Sequence, residues 1–80
     1  NPLEYLISQE DESRITAAIS ELPQRYQETL KLRSFEKLKY SEIAQKMDIS
    51  VNTVKSNLRE AILILRKKLG ILLIFIFFQI

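Results

Sequence analysis

The chain has 80 residues, a net charge of +2, no cysteine, no histidine and a single glycine. That length holds one small domain, which buries about 60 % of the surface its unfolded chain exposes and leaves little room for a deep cleft. The missing residue types exclude a disulfide framework, an ordinary zinc site, Ser-His and Cys-His nucleophile pairs and a glycine-rich phosphate loop.

The carboxylates read as solvated helix faces rather than as an acid/base pair, so the expectation is a binding protein without catalytic residues, metal or cofactor. A reducing, cytoplasmic setting fits a chain without cysteine. Because it opens on Asn1 rather than Met, it reads as a piece of something longer, and no signal peptide is expected at its start.

In chain order, Ser8 is a candidate N-cap, and Glu10, Asp11 and Glu12 put negative charge at the positive end of a helix dipole. Ile15, Ala18, Ile19 and Leu22 then share one face, predicting a helix from about residue 9 to 21. Pro23 restarts the chain in a second helix through Tyr26, Leu30, Leu32, Arg33 and Phe35, ending near Leu38. A short third helix is predicted over Tyr40 to Met47, with Ile43, Ala44 and Met47 inward. Asp48 tolerates a left-handed backbone where a turn would favour glycine, and Ile49 can plug the gap beyond it. Ser50 reads as the N-cap of a fourth helix, because its hydroxyl can accept from the N–H of Asn52 or Thr53.

In that fourth helix Val54, Leu58, Ala61 and Leu65 form the buried stripe. At about 100° per residue, Asn52, Ser56 and Arg59 lie nearly opposite Val54, with Lys55 beside them and Thr53, Asn57 and Glu60 on the other flank. No strand period competes. The predicted fold is all-α: a small four-helix domain with a C-terminal helix-turn-helix, of the winged-helix-like DNA-binding kind but without strands. Its domain spans residues 1–70, followed by an apolar tail, 71–80.

Charge is uneven. Residues 1–30 carry six acids against two bases, whereas residues 31–70 carry ten bases against four acids, which suits contact with a polyanion through the second half. The stretch "YSEIAQKMDISVNTVKSNLRE" is then a helix-turn-helix whose second helix starts with a free polar face. Asn there can match adenine, Arg or Lys can match guanine, and Ser50, Thr53, Ser56 and Lys55 have the reach for phosphate or base contacts. Spacing alone leaves an ordinary helical hairpin with a solvated face equally open.

The run "LPQRYQETLKLRSFEKLKYSEIAQKMDISVNTVKSNLREA" resembles the fourth conserved region of sigma-70 family initiation factors, most closely the extracytoplasmic-function type, over Leu22 to Leu69. The resemblance implies a DNA-binding domain that recognises the minus-35 promoter element while attached to RNA polymerase core through the flap of its beta subunit. Carried over by position, Ser50, Asn52, Thr53, Lys55, Ser56, Asn57 and Arg59 occupy the DNA-reading segment. Tyr40 and Ser41 occupy a place that meets the phosphate backbone, with Arg33, Lys37 and Lys39 adding charge there.

Some positions depart from the family pattern. Lys39 stands where a Ser or Thr often caps the third helix and pairs with Glu42, so that helix is expected to start less firmly or to be capped by Ser41. Asp48 replaces a usual turn glycine, and Asn52, Asn57 and Glu60 replace what are often Gly, Arg and Arg. Ile62, Leu63 and Ile64 fill positions commonly basic or polar. With the tail Ile71 to Ile80, apolar at nine of ten positions but shorter than the roughly 20 residues of a bilayer span, they suggest a second apolar contact. The tail would fold back, pair between chains through Leu63 and Ile64, or dock on a partner. Two other readings are an output domain of a response regulator, which shares the "EIA" and "TVK" runs, and a protein-interaction module that binds an anti-sigma factor.

Overall fold

The structure, a computed structural model, describes residues 9–70. The expectations that Ser8 caps the first helix and that residues 71–80 form an apolar contact lie outside the described residues. Four helices follow one another: α1 (Gln9–Ser20), α2 (Gln24–Ser34), α3 (Tyr40–Met47) and α4 (Val51–Leu69). Among the described residues there is no strand, as the absence of a two-residue hydrophobic period predicts.

Each boundary has a local cause. Around α2, Pro23 stands just outside the first turn, where its lack of an N–H costs nothing, and its carbonyl accepts from the N–H groups of Tyr26 at 3.0 Å and Gln27 at 2.9 Å. The expected end of α2 near Leu38 needs correction, because the helix stops at Ser34. The amides of Phe35 and Glu36 both donate to Lys31 O, Lys37 turns left-handed at φ 57°, and Leu38 N–H reaches back to Leu32 O at 3.1 Å. Leu38 still packs against the core, and so its apolar spacing imitates a helix that has already ended.

The start of α3 also departs from expectation. Lys39 occupies the N-cap with extended backbone, and its N–H donates to the Glu42 carboxylate at 2.8 Å. This is one arm of a capping box; the protonated lysine has no acceptor for the other, and Ser41 sits exposed in the first turn rather than capping it. At the far end Asp48 adopts φ 57°, ψ 50°. Asp48 N–H then donates to Gln45 O at 3.4 Å and Ile49 N–H to Ala44 O at 3.0 Å, a Schellman arrangement that satisfies the last carbonyls. Ile49 packs half-buried against the core, as the gap-filling role predicts.

The longest element, α4, packs against each of the other three. Its stripe of Val54, Leu58, Ala61, Leu65 and Leu69 meets Ala18, Ile19 and Leu22 from the α1 end, Leu30 and Leu32 of α2, and Ile43 and Ala44 of α3 in one core. Lys68 pairs with Glu21, joining the end of α4 to the end of α1. Among the described residues no helix is long and apolar enough to cross a membrane.

Candidate nucleic-acid interface

The interface is built on the turn between α3 and α4. Asp48 and Ile49 fix the direction in which the chain leaves α3, and Ser50 fixes the start of α4, its Oγ accepting from Thr53 N–H at 3.0 Å. The Ser50 and Thr53 hydroxyls lie 2.9 Å apart. These polar atoms therefore serve the cap first, although both residues remain exposed. The positive end of the helix dipole points out of the molecule here, which favours a phosphate nearby.

Along the first turns of α4, Asn52, Lys55 and Arg59 are exposed and Ser56 is half-buried. Arg59 Nε stands 4.0 Å from Glu60 Oε1, a loose pair with the arginine side chain 72 % exposed. Such a surface pair contributes little and leaves the guanidinium available to another partner. At the start of α3, Lys39 and Ser41 are exposed and Tyr40 is half-buried. Arg33, expected to add charge beside the phosphate backbone, is exposed and closes the α2–α3 connection: its Nη1 donates to Leu38 O at 2.9 Å, and its guanidinium lies 4.6 Å from the Tyr40 ring centroid. Lys37 is exposed within that connection.

One predicted reader is misplaced. Asn57 is only 6 % exposed, and its Nδ2 donates to Thr29 Oγ1 at 3.2 Å. The cause is angular: Asn57 lies about 60° from Val54 around the helix, inside the arc that faces α2, so an assignment based on sequence position places it outward while packing turns it in. Thr29, fully buried on α2, is the residue that sequence reading missed. The signal was available as a threonine next to Leu30 on the inner side of α2, but nothing local shows which polar atom it meets.

Of the apolar residues expected on the outside of α4, Ile62 and Ile64 are half-buried against the core, and Leu63 remains 44 % exposed.

The four helices, the left-handed turn and the exposed start of α4 form a helix-turn-helix. The family described as Sigma-70, region 4 matches this chain over residues 12–65, from α1 through all but the last turn of α4. The chain belongs to this family. Neither a curated protein nor a solved structure gives a significant match. Region 4 is a DNA-binding, non-enzymatic module that recognises the minus-35 promoter element and binds RNA polymerase core, and this sets aside the response-regulator reading. In helix-turn-helix proteins generally the base-reading element is the second helix, the position that α4 occupies here.

Proposed function

We propose that this chain is the C-terminal, promoter-reading part of an alternative sigma factor of the extracytoplasmic-function type. The observation that carries the assignment of roles is the exposed start of α4, where Asn52, Lys55 and Arg59 stand outward over a helix clamped from below by Val54 and Leu58. In this reading α4 enters the major groove. Asn52, Lys55, Ser56 and Arg59 face base edges, while Ser50 and Thr53 at the helix start, with Lys39, Tyr40 and Ser41 of the supporting helix, lie along the phosphate backbone. Asn57 has no place in this set. The polymerase flap would hold the domain on the promoter, since one small module buries little surface of its own against DNA.

The test titrates the protein onto promoter duplexes at two salt concentrations. Each neutralised phosphate steepens the fall of log K with log salt by about 0.9. Lys55→Ala and Arg59→Ala should each weaken binding, by about 1–3 kcal/mol where a base contact is lost. Lys67→Ala, at the other end of α4, should leave it within about twofold. Unchanged binding in both of the first two variants at low salt would refute the assigned face.

The exposed Leu63 favours a second reading in addition: self-association through Leu63, Ile64 and residues 71–80, or occupation of that surface by an anti-sigma factor. Sedimentation of Leu63→Glu beside the unaltered protein tests the pairing. A monomer in both would remove it.

A further inference from the structure

We propose that the Thr29–Asn57 hydrogen bond sets the rotational phase of α4, making these two residues positioning residues for the sequence selectivity of the reading face. The inference rests on α4 being the base-reading helix. Thr29 is fully buried and Asn57 nearly so. The Thr29 hydroxyl has one proton, which goes to Arg25 O at 2.7 Å, leaving the oxygen to accept from Asn57 Nδ2 at 3.2 Å. The Met47 sulfur, 3.3 Å from the same oxygen, then competes for no proton and acts as packing. One hydroxyl thus touches α3 and α4 while being held by α2.

The other contacts of α4 with the body of the domain are mainly apolar: Val54, Leu58, Ala61 and Leu65. Apolar attraction is non-directional, so a small rotation of the helix about its axis can be absorbed by repacking. The amide–hydroxyl bond is directional. Side-chain atoms lie about 5–6 Å from a helix axis, so a rotation of roughly 20° moves them about 2 Å, enough to break a hydrogen bond already at 3.2 Å. The same rotation carries Asn52, Ser56 and Arg59 at least as far across the groove floor. Contacts to base edges fail at such displacements, whereas attraction to phosphates acts over a screening length of about 8–10 Å and survives.

Selectivity and affinity should therefore separate. A duplex selected by the unaltered 80-residue protein from a randomised pool is compared with a scrambled duplex of equal length, alongside thermal unfolding. The variants are Thr29→Val, the double variant Thr29→Val with Asn57→Leu, and Thr29→Ser, which keeps the hydroxyl. Replacing both buried partners by apolar groups of similar shape should leave the melting temperature about unchanged or higher. Affinity for the scrambled duplex should stay within about twofold, while preference for the selected duplex falls about tenfold. Thr29→Ser should keep the preference.

Three outcomes overturn the proposal. One is a folded double variant or Thr29→Val that retains the full preference. Another is a loss of both affinities in proportion to the unfolded fraction, which marks a merely structural pair. If the double variant does not fold, Thr29→Val against Thr29→Ser decides alone. Should the unaltered protein select no duplex at all, the reading of α4 falls and this inference falls with it, a result distinct from the other two.

Discussion

The two connections flanking α3 use the same backbone device and close it differently. Both place a non-glycine residue in the left-handed region, Lys37 before α3 and Asp48 after it, each at φ 57°. After α3 the turn is short and completes itself: Asp48 and Ile49 amides return to the last turn, Ile49 packs inward, and Ser50 starts the next helix. Before α3 the connection is wider, reaches back six residues through Leu38 N–H to Leu32 O, and is closed by a side chain, Arg33, that bonds Leu38 O and covers Tyr40. Phe35 is left 57 % exposed there. The tight turn sets the direction of α4, so under the proposed reading its precision bears directly on function. The wide one only delivers α3 to its place, and one long side chain spanning it is sufficient.

The largest effect that could break this contrast comes from the residues in each connection. Ile49, half-buried in the tight turn, should cost about 1–2 kcal/mol when changed to Ala, whereas Phe35→Ala in the wide connection should stay near 0.5 kcal/mol, as urea unfolding midpoints would show. Comparable losses at both sites would mean that the wide connection is as tightly packed as the other. Next in size are the two helix starts. Ser50→Ala removes the acceptor for Thr53 N–H and should destabilise by about 1 kcal/mol, while Lys39→Ser should stabilise by about 0.5–1 kcal/mol by completing the box with Glu42. Thermal melting of both variants checks the opposite signs. Smallest is the backbone effect itself. Lys37→Gly relieves a left-handed Cβ worth about 1–2 kcal/mol and gives part of that back as unfolded-state entropy, for a net gain of roughly 0.5 kcal/mol. Asp48→Gly should gain less, because Asp tolerates this region better. Equal gains would show that Asp48 is no better adapted than Lys37.

The same contrast explains what was readable in advance. The α3–α4 turn is local: Asp48 in place of glycine, Ile49 as plug and Ser50 as cap are each legible from residues within five positions of their partners, and the limits of α3 follow. The end of α2 was misread because Leu38 returns to the core after a non-helical detour, and periodicity registers the return without the detour. At the interface, Asn52, Lys55 and Arg59 follow from their angle to Val54. Asn57, at the margin of the buried arc, could not be assigned by angle alone, since a residue about 60° from the stripe is inside or outside depending on how closely the neighbouring helix approaches.

By itself the sequence determined the all-helical class and the tight break between α3 and α4, because periodicity, caps and turn residues act through contacts a few positions apart; the family came from the resemblance of the run Leu22 to Leu69 and the match over residues 12–65. The tertiary structure alone decided that Asn57 bonds Thr29 across 28 residues. That bond depends on the distance between α2 and α4, which are not neighbours in the chain. A polar side chain near the edge of a buried stripe commits to solvent or to a partner only when that distance is fixed.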